Sequence, residues 1–212
     1  MTTRREFVVS SASLATALAW ASPQRALAQG IGNITQLEGD VLVNGNRLAP
    51  DGAIQTGDRI QTGPGSRVGF TIGGDALLLR PQTDLTLTRG ASLFIIGGAR
   101  MAAGALLAVF GRSARPRHVV APTVTAGIRG TGFYVEARPE STYFCTCYGV
   151  IELQSNLGDT ETVNSSRHQA RRVLGQRSGT RSIVDAPFEN HSDAELDQLA
   201  RLVGQRAPWY PR

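Results

Sequence analysis

The sequence predicts an all-β chain closed by one C-terminal helix, built as a stacked β-sandwich or a short β-solenoid. Three observations predict it. Apolar and polar residues alternate with period two over much of the chain, as half-buried strands require. There are 24 glycines among 212 residues, which supply frequent turns. Gly-Asp recurs at 39–40, 57–58 and 74–75, the spacing of repeated strand–turn units.

The first segment is an address rather than part of that fold. Arg4-Arg5 precede an uncharged apolar run over 7–21, shorter than the ~20 residues a spanning helix needs. Ala26-Leu27-Ala28 then offers a small-x-small cleavage site that leaves Gln29 as the new N-terminus. Thr3-Arg4-Arg5-Glu6-Phe7-Val8 resembles a twin-arginine export signal, with Val8 where leucine is usual. The expectation is a signal peptide over 1–28, cleaved after Ala28, and a periplasmic location. An uncleaved anchor or a short buried helix is the alternative.

Composition narrows the classes further. Hydrophobic residues make up 41% and charged residues 18%, which fits a packed chain rather than a disordered one. The chain has no lysine, so all 22 basic residues are arginine, and the net charge is +5. Removing 1–28 takes away three arginines and one glutamate, leaving +3. The arginines form no stripe, so no nucleic-acid partner is expected. Two cysteines exclude a disulfide scaffold.

Strands follow in order. Asn44-Gly45 between 41–43 and 46–48 predicts a hairpin with a type I′ turn. Alternation marks strands at 59–62, 67–72 and 84–88, and a short apolar run marks 76–79. The apolar stretch 91–110 is broken by Gly97-Gly98, Arg100 and Gly104. A central charge in a spanning helix costs about 3 kcal/mol, so two strands, 92–96 and 105–110, with a glycine-rich link are expected. Strands resume at 118–121, 124–128, 133–137, 142–148 and 150–153. No membrane span is expected in the mature chain, and association with the envelope is left open.

From residue 156 the chain becomes more polar, and 156–212 reads as a C-terminal extension to a β domain over 29–155. It carries one helix, 192–204. Ser192 and Glu195 form a capping box, Leu196, Leu199, Leu202 and Val203 form an apolar face, and Gly204 ends it. Asp193, Glu195 and Asp197 read as a solvated acidic first turn that meets the helix dipole.

Three ordered blocks carry a family resemblance: Gly57-Asp58-Arg59-Ile60-Gln61-Thr62-Gly63 through Ser66, residues 104–111 (GALLAVFG), and residues 121–131 (APTVTAGIRGT). Together they resemble the FecR-type domain of bacterial periplasmic proteins, over roughly residues 38–155. On physical grounds Gly57, Gly63 and Gly130 sit where turns need positive φ or close backbone approach. Thr62 and Thr131 are placed to bond turn backbone, and Arg129 to lie over a strand or pair with an acid. The resemblance implies a periplasmic β domain that binds or signals through a protein or small ligand, with no enzymatic activity. The family's named member spans the inner membrane behind a cytoplasmic anti-sigma segment. Neither part is expected here, so direct sigma-factor control does not carry over.

Chemistry concentrates at Cys145-Thr146-Cys147. In a regular strand these thiols share a face about 6.6 Å apart, too far for an unstrained disulfide. Three states stay open: a strained disulfide, two buried thiols beside Tyr143, or a metal pair. Among His118, His168 and His191, the last two complete a candidate transition-metal set, Cys145, Cys147, His168 and His191. Their spacing matches no compact zinc motif. The leading reading has no cofactor; the alternative is a metal-binding or redox protein centred on the two cysteines. No nucleophile elbow, phosphate loop or metalloprotease signature occurs.

Overall fold

The computed structural model describes residues 32–210; the expected signal at 1–28 lies outside them. In chain order the strands are β1 (Ile34–Glu38), β2 (Val41–Val43), β3 (Asn46–Arg47), β4 (Arg59–Thr62), β5 (Arg67–Ile72), β6 (Asp75–Leu79), β7 (Asp84–Arg89) and β8 (Ile96–Val109). Then come β9 (Arg117–Ala121), β10 (Val124–Ile128), β11 (Gly132–Arg138), β12 (Ser141–Ser155), β13 (Thr160–Ser165), β14 (Gln169–Ser178), β15 (Arg181–Ala186) and the helix α1 (Asp193–Arg201).

The strands form two stacked layers. One runs β1-β5-β6-β8-β11-β12-β14-β15. The other runs β3-β2-β4-β7-β8-β9-β10-β12-β13. Pairing is antiparallel except between β8 and β9, which makes the stack a sandwich rather than a solenoid. The Asn44-Gly45 turn has φ of 53° and 81°, as a type I′ hairpin requires.

Two long strands belong to both layers, and this departs from the sequence expectation. Strand β8 pairs with β7 up to Ala103 and with β11 from Gly104 onward. Strand β12 pairs with β11 up to Tyr148 and with β13 from Gly149 onward. Each passes between layers at a glycine in the left-handed region, Gly104 at φ 89° and Gly149 at φ 91°. Only glycine enters that region without strain. The expected break at Gly97-Gly98 is uninterrupted strand. Carbonyl oxygens of Arg89 and His118 sit 2.5 Å from where side chains would begin at Gly97 and Gly98, so these glycines serve close packing. The expected strand at 92–96 is a loop as far as Ile95, and Ile96 already begins β8.

Between the layers lies the main core, with Ile60, Leu85, Val119 and Val124 from one side meeting Phe70, Leu77, Phe133 and Phe144 from the other. A second cluster covers the outer face of the β6–β8–β11–β12 layer. There Leu196, Leu199, Ala200 and Ala207 pack on Leu107, Tyr134, Tyr143, Cys145 and Cys147. Residues 156–186 add three strands to the same layers. Helix α1 ends at Arg201, short of the expected residue 204, and Gly204 at φ 69° closes the turn after it. Its capping box is formed in both directions. No described helix is long and apolar enough to cross a membrane.

The turn residues behave unevenly. Gly57 and Gly130 take positive φ, whereas Gly63 does not. Thr62 Oγ1 donates to the Arg80 carbonyl at 2.6 Å, while the buried Thr131 hydroxyl has no partner among the described residues. Arg129 reaches Glu152 at 3.9 Å, both exposed.

Candidate metal centre

Strand alternation decides which way the cysteines face. Phe144 enters the main core, so Tyr143, Cys145 and Cys147 point to the opposite, helix-covered face. Both cysteines are free and buried, so of the states left open by the sequence the strained disulfide is not formed.

Two loops bring the histidines to them. His168 occupies the turn between β13 and β14 with φ 42°. Its amide donates to the Cys147 carbonyl at 2.9 Å, which fixes its backbone beside β12. His191 precedes the Ser192 cap, after a turn at Asn190 with φ 62°. Its ring is aimed at the thiols. Cys145 Sγ lies 3.7 Å from His168 Nδ1, and Cys147 Sγ lies 3.3 Å from His191 Nε2. All four donor atoms are within 4.8 Å of one another. His118 stands apart on β9.

Both imidazoles are held by an outer partner with the inward nitrogen facing the sulfurs. His168 Nε2 is 2.5 Å from Asp193 Oδ1, and a carboxylate there requires the proton on Nε2. His191 Nδ1 donates to the Glu189 carbonyl at 2.7 Å. In each ring the outer nitrogen is held by its partner and the inner one faces the sulfurs, where it offers a lone pair once unprotonated. This is the arrangement by which outer partners fix the tautomer of metal-ligating histidines. Aromatic rings enclose the cluster: Tyr134 stacks on His191 at 4.5 Å, Phe188 lies 4.2 Å from His168, and Trp209 lies 5.0 Å from it.

Asp193 was not a sequence candidate, and the first-turn acids are not simply solvated. Asp193 bonds Arg167 as well as His168, Glu195 pairs with Arg80, and Asp197 is buried against Arg201. The usable sequence signal was an acid two residues beyond a candidate ligand, at a helix start.

The titrating groups interact strongly. The hydrogen bond with Cys147 lowers Cys145 to about 4, helped by bonds to His168 and His191 and opposed by burial. Burial raises Cys147 well above the ordinary thiol value, and its neighbour Cys145 adds to this. The two thiols are thus driven in opposite directions, Cys145 toward the thiolate and Cys147 toward the thiol. Burial opposes the His168 imidazolium, but bonds to Cys145 and Asp193 outweigh it and raise that group. Asp193 is lowered: its bonds to His168 and Arg167 overcome burial.

The donor set fits a four-coordinate ion. Bonds of ~2.3 Å to sulfur and ~2.0–2.1 Å to nitrogen give tetrahedral edges of ~3.3–3.8 Å. The two sulfur–nitrogen edges above fall in that range. The others, at most 4.8 Å, need contraction by at most about 1.5 Å. Two thiolates and two imidazoles suit zinc and other soft transition metals over hard cations.

Fold and site define the class: a two-layer β-sandwich with a thiol–imidazole cluster under a C-terminal helix. No family model matches the chain, and no curated protein matches it. Among solved structures, two crystal structures of a candidate anti-sigma factor from Parabacteroides distasonis share its fold, each with a TM-score of 0.50. They are 16% and 15% identical, over 60% and 63% of this chain and 58% and 60% of theirs. The match thus spans about three-fifths of those chains, and at this identity it is a likeness of fold.

Proposed function

We propose that this chain is an exported, non-enzymatic FecR-like module that works in periplasmic signalling by contact with a protein partner. Its working form holds one zinc-class ion on Cys145, Cys147, His168 and His191. One observation carries the metal reading: four donors from three separate parts of the chain, three of them buried and His168 partly buried, converge within 4.8 Å, with each imidazole turned by an outer partner to offer its lone pair. Four protein donors leave no open coordination position, the mark of a structural rather than catalytic ion. The ion ties the β13–β14 turn and the segment before α1 to β12, so its binding energy adds to that of the fold.

The signalling half rests on the fold shared with the candidate anti-sigma factor and on the three ordered sequence blocks. The test is metal analysis of the native protein, purified without chelator or reductant. One ion per chain is expected, and none in the Cys145→Ser, Cys147→Ser double variant. Metal-free native protein with two fast-reacting thiols would overturn the reading in favour of a redox-active pair.

A further inference from the structure

The loop between β7 and β8 carries three consecutive exposed apolar side chains, Leu93, Phe94 and Ile95, at 55%, 75% and 45% exposure. Among the described residues the other exposed large apolar side chains occur singly in sequence. The loop is a fixed projection. The Gly90 amide donates to the Ile95 carbonyl at 3.0 Å and the Ile95 amide to the Ser92 carbonyl at 3.2 Å. Gly73, at φ 59°, lets the Phe94 carbonyl pack where a side chain would begin. The backbone of Phe94 is therefore anchored while its ring stands in solvent.

A cleft of about 770 Å³ separates this projection from residues 111–117, with Phe94 and Ile95 on one wall and Arg89, Arg112, Arg115 and Arg117 around it. Asp75 is the one acid lining it, and it is consumed by the buried pair with Arg117 at 2.5 Å. Arg117 also stacks on Phe110 at 4.4 Å. Its Nε is buried without a partner among the described residues. Arg89, Arg112 and Arg115 have no acidic partner among the described residues, whereas many of the chain's other arginines are paired.

We propose that this end of the molecule docks on an anionic phospholipid bilayer, with Leu93, Phe94 and Ile95 entering the interface and Arg89, Arg112 and Arg115 binding lipid phosphates. The inference stands apart from the metal reading. A guanidinium fork matches a phosphate in two parallel bonds, and basic side chains beside a membrane are each attracted to anionic lipid. The apolar cleft wall beside those forks gives a phospholipid both of its requirements, a cation for the headgroup and apolar surface for the chain. The rim decides between a bilayer and a protein. Protein interfaces pair complementary charges across a polar rim; here the unpaired charges that line the cleft, Arg89, Arg112 and Arg115, are all positive and the apolar tip stands exposed to solvent, which suits a surface of one sign.

The test is co-sedimentation of the purified processed protein with vesicles of phosphatidylcholine alone and with phosphatidylglycerol added. Binding to the anionic vesicles alone, weakened by salt, is expected. Arg112→Ser with Arg115→Ser should weaken it about 30-fold, and Phe94→Ser at least about 10-fold; circular dichroism should be unchanged in both. Absence of binding to anionic vesicles overturns the proposal and leaves the patch to a protein. Saturation of the cleft by soluble glycerol phosphate without vesicle binding overturns it in favour of a small anion. Equal binding to neutral vesicles, insensitive to the arginines, overturns the phosphate contacts.

Discussion

His191 Nε2 and Cys147 Sγ stand 3.3 Å apart although 44 residues separate them in the chain. That contact ties the segment before α1 to β12. It also makes the outer face of the β-sandwich, and not its inter-layer core, the place where chemistry collects.

Asp193 positions His168 without being a ligand. Replacing it by Asn leaves all four donors but removes the charge that holds the His168 tautomer. Metal affinity should fall about 10–100-fold with stoichiometry kept, as read by competition with a chromogenic chelator. His168→Ala should weaken it further. Equal affinities in wild type and Asp193→Asn would remove Asp193 from the centre.

The pH dependence of the metal-free protein should separate these groups. His168 is raised above its ordinary 6.5, so its stabilisation is full below about pH 6.5 and is lost as pH rises through the raised value. Cys145, lowered to about 4, acts oppositely: its contribution is lost progressively as pH falls from about 9 toward 4. Asp193→Asn isolates the histidine arm. In chelator-treated protein the melting-temperature gap between wild type and this variant should be widest near pH 6 and shrink toward pH 9. In metal-loaded protein stability should fall on acidification, because protons compete for the same donors.

The layer-crossing glycines should be intolerant of any side chain. At Gly149, φ is 91° and a Cβ would meet Thr131 Cγ2 at 2.4 Å. At Gly104, φ is 89° and a Cβ would meet Thr83 Cα at 2.3 Å. Alanine at either should cost well over the ~1–2 kcal/mol of left-handed backbone alone. Gly45→Ala, at φ 81° with nothing within 4 Å, should cost only about that amount. Urea unfolding measures all three.

The export reading has its own test. Changing Arg4 and Arg5 together to Lys removes the guanidinium pair of the twin-arginine pattern. The precursor should then accumulate in the cytoplasm, as read by fractionation and immunoblotting. Unchanged export would place the chain on the general secretory route.

Most strands were legible because their alternation is local. Strands β4 (Arg59–Thr62), β5 (Arg67–Ile72) and β10 (Val124–Ile128) stand at the residues the alternation marks. The errors fall at glycines. Gly97-Gly98 and Gly149 read as breaks, yet the first pair lies inside β8 and Gly149 is a bend within a continuous β12. A glycine in sequence permits a turn, a crossing or close packing alike, and only the neighbouring backbone selects among them.

The sequence by itself determined the all-β class, the capped C-terminal helix and the shared face of Cys145 and Cys147, since each depends on residues within a few positions of one another. It also supplied His168 and His191 as candidates by residue type alone. Their convergence, the role of Asp193 and the fixing of each imidazole tautomer were decided by tertiary structure. Those relationships arise where a turn and a pre-helix segment pack across a sheet face, and pairing over 23 to 44 residues leaves no periodicity in the sequence to read.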